Sequence, residues 1–258
     1  MVPDQMPYVI VEHHQQWLEI TLNRPGTFNA LSEEMMHHLQ GAIDRSHQNR
    51  ELTCIIIKAT GKAFCAGHDI KQMQAHATPD YYQTLFVQCS QLMQAIVACP
   101  VPVIAQVQGI ATAAGCQLVA SCDLAIASSE ACFAVSGINL GLFCATPAVA
   151  LSRNIHPKQA MEMLLTGEFV SPAKAQSLGL INRVVEADQL TAETRKLATT
   201  ISQKARSAVR TGKAMFYPQL HMPLDQAYEY ASGHMVCNLM DTETQRGLNA
   251  FVTKRPKE

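Results

Sequence analysis

An α/β fold is predicted for this chain from three features. The run CIIIKA (54–59) is continuously apolar, as a strand buried on both faces should be. It is flanked by two stretches whose apolar side chains recur at helical spacing, and the strand–helix alternation then repeats through VIAQV (103–107). Taken alone, this periodicity implies a doubly wound, mostly parallel sheet in the first two thirds, followed by a helical last third.

YVIVEHH and QWLEITLN read as two tightly joined strands. NRPGTFNALS supplies turn residues and ends near Ser32, an N-cap followed by Glu33 and Glu34. Met36, Leu39 and Ile43 continue that helix, and the polar SHQNREL separates it from CIIIKA, completing a β–α–β unit. A second helix is expected over Pro79–Ala98, with Tyr82, Leu85, Phe86, Cys89, Leu92, Met93 and Ile96 on one face. Pro100 and Pro102 stop it before VIAQV. A third helix should follow Gly109, then the short strands DLAIA and CFAV. From Lys158 the pattern is mostly helical, broken by INRVV (181–185), with no low-complexity linker and no repeat.

The 258 residues are 48% apolar, enough for a substantial core in one large domain or a domain with an appendage. A formal net charge of -1 and a sequence pI near 6.8 leave no basic face for a nucleic-acid backbone or an anionic membrane, so neither partner is expected. No apolar run approaches the roughly 20 residues of a membrane span. The nine cysteines, Cys116, Cys122, Cys132 and Cys144 among them, contain no CxxC pair and read as reduced core residues. The N-terminal stretch lacks the composition of a signal or transit peptide. The adjacent pairs His13–His14 and His37–His38 do not put two imidazoles on one side of a helix, and no metal is expected.

Two loops follow buried strands: GKAFCAGHD after CIIIKA, and QGIATAAG after VIAQV. Ligands in such sheets gather at the C-terminal ends of strands. Both loops carry Gly and Ala where a ligand can approach the backbone, and the second opens a helix whose free N–H groups favour an anion. Together they could supply two converging amide donors. Such a pair suits a carbonyl oxygen that becomes negative, as a thioester's does when its α-carbon loses a proton; one donor is typically worth about 2.7–4 kcal/mol in the transition state. The same small residues also serve close helix–strand packing, and it is the two loops in this order that favour a ligand.

The runs LNRPGTFNALS, FCAGHDIKQM and PVPVIAQVQGIATAAGCQLVASCDLAIAS, continued by LTGEFVSPAKAQSLGLINRVV and AFVTKRPKE, resemble the crotonase (enoyl-CoA hydratase/isomerase) superfamily over nearly the whole chain. The resemblance implies a spiral of ββα turns instead of a doubly wound sheet. It divides the chain into a spiral core with an acyl-CoA site (1–200) and a C-terminal helical region for oligomerisation (201–258), giving a homo-trimer or hexamer. It also implies an oxyanion hole from the backbone N–H groups of His68 and Ala114. An acyl-CoA thioester would be lined by Thr27, Ala66, His68, Asp69, Ile70, Lys71, Gly109 and Ala114, with Phe251 and Lys254 at the adenine end, from a neighbouring subunit. No cofactor is expected, since coenzyme A is part of the substrate, and the location is cytoplasmic, or the mitochondrial matrix after processing.

Hydratases of this superfamily use two glutamates, and here the matching positions are Gln117 and Gly137; an additional isomerase aspartate matches Ala145. No Asp or Glu occurs from Ala131 to Ala160, and between Gly61 and Ala160 there are only Asp69, Asp80, Asp123 and Glu130. Asp69 and Asp123 match structural positions. Gln117 offers hydrogen bonds but cannot exchange a proton. The remaining candidates are Asn139 to position water, Cys144 as acid or nucleophile against its reading as a core thiol, and the His68 imidazole, which titrates near neutrality. Two functions follow: an acyl-CoA lyase or isomerase working through a stabilised enolate with atypical groups, or a non-catalytic acyl-CoA-binding or assembly protein. No Ser–His–Asp set stands at matching positions.

Overall fold

The computed structural model describes residues 6–253. β1 (Val9–His13) and β2 (Trp17–Leu22) form an antiparallel hairpin with Val11 opposite Ile20. Every later neighbour in this sheet is parallel: β3 (Cys54–Ala59), β5 (Val103–Val107), β7 (Leu124–Ser128) and β9 (Arg183–Val185), in the order β1-β2-β3-β5-β7-β9. Three short strands, β4 (Ala63–Cys65), β6 (Ile110–Thr112) and β8 (Cys132–Ala134), make a second parallel sheet in chain order.

Spatial order thus follows chain order without reversal, so the sheet has no switch point and is not doubly wound. The architecture is the ββα spiral: successive turns lay one strand in the large sheet and one in the small sheet before a helix covers them. Two of the three short strands fall where the sequence reads as loop, because three residues are too few to show an alternation. Gly109 permits the close approach of β6 to β4, since a Cβ there would lie 2.0 Å from the Lys62 carbonyl oxygen.

The helices are α1 (Glu33–Ser46), α2 (Ile70–Ala75), α3 (Pro79–Ala98), α4 (Ala114–Ser121), α5 (Ala145–Leu151), α6 (Pro157–Thr166), α7 (Pro172–Leu178), α8 (Leu190–Ser202), α9 (Arg206–Gln219), α10 (Leu224–Leu239) and α11 (Thr242–Thr253). Ser32 caps α1 by accepting from the Met35 N–H at 3.2 Å, and Met36, Leu39 and Ile43 are buried. On α3, Leu85, Cys89, Leu92, Met93 and Ile96 enter the core, while Tyr82 and Phe86 are only half-buried. CIIIKA is buried on both faces as expected: Ile55 and Ile57 join the main core, and Cys54 and Ile56 pack with Ile104 under Ala198 of α8. The expected division at 200/201 falls inside α8, which packs on β3, β5 and β7. All nine cysteines are free, and all but Cys132 and Cys237 are buried; Cys237 is exposed on α10, not part of a core.

Two polar clusters fasten helices to the large sheet. Glu19 of β2, 1% exposed, accepts two hydrogen bonds from Arg195 of α8 at 2.7 and 3.0 Å and pairs with Lys58 of β3. Burial alone would raise its pKa, but the bonds from Arg195 and then Lys58 outweigh that and bring it to about 2. Asp123, between α4 and β7, accepts from the Val103 N–H (2.7 Å), Lys213 Nζ (2.6 Å) and the Tyr217 hydroxyl (2.7 Å). Lys213 also donates to the Ile96 and Val101 carbonyls, both at 3.0 Å, so this buried ammonium is fully satisfied.

Candidate active site

The two glycine-containing loops meet. Past β4, the Ala66 N–H donates to the Phe28 carbonyl (3.1 Å) and the Gly67 carbonyl accepts from the Leu31 N–H (2.7 Å), so the NRPGTFNAL segment braces the FCAGH segment. Gly67 has φ +96, and a Cβ there would lie 2.9 Å from Ala113 Cβ and 3.3 Å from the Ala114 nitrogen. A Cβ on Gly115 would lie 2.1 Å from the Cys65 carbonyl oxygen. Glycine at both positions therefore lets the chain press against the first turn of α4.

Ala113, which opens that helix, has φ 51 and ψ -121, a conformation alanine rarely adopts. It is held from both sides, by its N–H to the Ala134 carbonyl (3.0 Å) and by the Gln117 N–H to its own carbonyl (3.1 Å). Strain held in this way clusters at functional sites. Among the described residues, neither the Ala114 N–H, which follows Ala113, nor the His68 N–H on the other loop has a backbone or side-chain acceptor, and α4 has no side-chain cap.

The other expected binding residues divide into three groups. Asp69 is occupied in capping α2, accepting from the Lys71 and Gln72 N–H groups at 3.0 and 3.1 Å, while Ile70 and Lys71 are exposed on that helix. Thr27 is exposed on the bracing segment, its hydroxyl turned to the Arg24 carbonyl (3.3 Å). Phe251 stands apart on α11, 80% exposed, in a helix packed on α9 and α10; Lys254 lies outside the described residues.

Of the acid/base positions, Gln117 is 4% exposed and its Oε1 has no partner among the described residues. Gly137 has no room for a side chain, since a Cβ would lie 2.7 Å from both Cys144 Sγ and the Leu142 carbonyl oxygen. Cys144 is buried, and burial raises its thiol pKa although the Gly137 N–H opposes the shift. It is a packed thiol and not a ready nucleophile. Ala145 is the first residue of α5 and exposed. Asn139 is exposed and spends its amide on the Gly167 carbonyl at 3.4 Å, which ties the turn Ser136–Leu140 to the end of α6. Among the carboxylates between Gly61 and Ala160, Asp69 and Asp123 are engaged as described, and Asp80 and Glu130 are exposed.

His68 is the titratable group left at the junction. Its Nδ1 stands 3.3 Å from the Leu31 carbonyl, and Phe86 meets its ring edge-on at 5.5 Å. Its Nε2 is buried and unpartnered among the described residues, and burial lowers its pKa. The strain at Ala113 and the contact of Phe86 with His68 were beyond sequence reasoning: nothing in TAAG announces a positive φ, and helical periodicity assigns Phe86 to the core face. Among the described residues, no three His, Cys, Asp or Glu side chains gather in a metal-ligating cluster, and no helix is long and apolar enough to cross a membrane.

The model of the Enoyl-CoA hydratase/isomerase family matches residues 12–258. Enoyl-CoA hydratase domain-containing protein 3, mitochondrial, from Mus musculus is 48% identical over 236 residues, covering 92% of this chain and 79% of that protein. The crystal structure of the human enoyl Coenzyme A hydratase domain-containing protein 3 superposes with a TM-score of 0.93 at 43% identity, covering 97% of this chain and 99% of that one. That of an enoyl-CoA hydratase from Mycobacterium smegmatis gives 0.95 at 49% identity, covering 98% and 99%.

Proposed function

The chain belongs to the enoyl-CoA hydratase/isomerase family, and from that premise we propose that it binds acyl-CoA thioesters and stabilises the thioester enolate through the backbone N–H groups of His68 and Ala114. The observation that carries this reading is the junction itself. Gly67 presses on the first turn of α4, and the amides on either side of that contact have no acceptor among the described residues. A thioester oxygen between them becomes more negative as the α-carbon loses its proton, so the donors act most strongly on the transition state.

Butyryl-CoA and its thioether analogue S-butyl-CoA test this by calorimetry, since they differ in the carbonyl. Two donor bonds are together worth roughly 1–3 kcal/mol net, so the thioester should bind about fivefold tighter or better. Equal affinity would remove the reading.

A second reading keeps the binding and drops the turnover. It is favoured by Gly137, where a glutamate cannot be accommodated, and by the neutral Gln117. Binding of acyl-CoA with no product from enoyl-, hydroxyacyl- or acyl-CoA substrates would select it. Of the two expected locations, the word mitochondrial in the relatives' names supports the matrix; imaging of the tagged chain against a matrix marker decides it.

A further inference from the structure

We propose that the His68 side chain, and not only its N–H, acts at this site, with Nε2 taking a proton from the α-carbon of the bound acyl group. The inference rests on the reading above, because it needs the acyl group at the same junction. Three observations lead to it. The Leu31 carbonyl can only accept, so the nitrogen 3.3 Å from it, Nδ1, carries the ring proton and Nε2 is left as a lone pair. That lone pair is buried and has no donor among the described residues, and Gln117 Oε1, one turn into α4 from Ala114, is in the same condition. Two acceptors without donors thus belong to the same two segments as two donors without acceptors, His68 N–H and Ala114 N–H.

An acyl thioester bearing an acidic α-C–H is complementary to this set. Its carbonyl oxygen takes the amides, and its α-hydrogen is what an imidazole lone pair accepts. Gln117 can orient a ligand O–H but cannot carry a proton. Burial lowers the pKa of the ring, which keeps it neutral and ready to accept at physiological pH. In the step, the α-C–H bond breaks, its electron pair becomes the enolate held by the two amides, and the proton forms the Nε2–H bond of an imidazolium. Reversal returns a proton to the α-carbon, and in deuterium oxide it returns a deuteron once the imidazolium N–H has exchanged with solvent.

The test is α-hydrogen exchange of acetyl-, butyryl- or octanoyl-CoA in deuterium oxide, using whichever binds most tightly, followed by NMR. The wild-type protein should exchange the α-hydrogens. His68→Ala and His68→Gln keep the backbone N–H, so affinity should stay within about threefold while exchange falls about 10²-fold or more, the usual contribution of a positioned base. Binding without exchange in the wild-type protein, or unchanged exchange in the variants, overturns the proposal and leaves the amide reading standing. Failure of all three thioesters to bind overturns both. Should the variants not fold, nitrogen NMR of the wild-type protein decides the matter: a protonated His68 Nε2 in place of a protonated Nδ1 at neutral pH overturns the proposal.

Discussion

Gly67 is the residue on which the junction turns. Replacing it with alanine puts a Cβ at φ +96, with Ala113 Cβ at 2.9 Å and the Ala114 nitrogen at 3.3 Å. Gly67→Ala should lose about 1–3 kcal/mol of stability, seen by denaturant titration, and should weaken acyl-CoA binding more than the fold, because the displaced atoms are the donors. Gly137→Glu cannot restore a hydratase carboxylate, since Cys144 Sγ and the Leu142 carbonyl each lie 2.7 Å from the new Cβ. A lowered melting temperature without gained hydration is the expected result. Gln117→Glu fits the space but buries a carboxyl with no partner at Oε1. Its pKa must rise above the unfolded value, so the stability deficit of this variant should grow as pH rises from 5 to 8 and shrink in acid. A deficit independent of pH would show that the new carboxyl is solvated or paired. At this scale the positions are legible in the sequence and their surroundings are not: Gln117 and Gly137 are readable as missing acids, whereas the contact that closes residue 137 joins residues separated by a turn.

Two elements are fixed by polar bonds that no apolar pattern reveals. α9 is anchored by Lys213, whose bonds to Asp123, Ile96 and Val101 tie it to the start of β7 and the end of α3. Lys213→Met should leave Asp123 a buried carboxylate short of its cation, costing about 3–5 kcal/mol and roughly 10 °C in thermal midpoint. α8 is anchored through Glu19, whose pKa falls from 4.5 unfolded to about 2 folded. The sign follows: the contribution is complete above about pH 4.5 and is lost as pH falls toward 2. It is on the order of 2–3 kcal/mol, and Glu19→Gln should flatten the acid limb of the stability profile by that amount. α1 and α3 were legible because each has a capping residue and an apolar face of several turns, whereas β4 and β6 were not, being strands of three residues held by a second sheet.

For the molecule as a whole, the helices after α8 leave a large apolar surface. Leu224, Tyr228, Met235, Val236, Met240 and Phe251, all on or beside α10 and α11, are each more than half exposed. A homo-trimer or hexamer is the assembly proposed for this surface, and light scattering should return three or six times the 28.3 kDa chain mass. A monomer at micromolar concentration would be evidence against it. Charged substitutions such as Met235→Glu and Val236→Glu should shift the mass toward the monomer without unfolding α1–α8.

What the sequence determined by itself is what local chemistry writes: the buried strands, the capped helices, the two small-residue loops in order, and the absence of carboxylates where a hydratase has them. These depend on composition and on spacings within a turn or two. The tertiary structure alone decided that the strand order never reverses, that Gly67 lies against Ala114, that residue 137 is closed by Cys144, and that the His68 ring is oriented by Leu31. The Gly67–Ala114 and His68–Leu31 contacts join residues tens of positions apart, and the Gly137–Cys144 contact closes a turn that no periodicity describes. Which distant atoms share a space is set by how the whole core packs, and that information is not local to any segment.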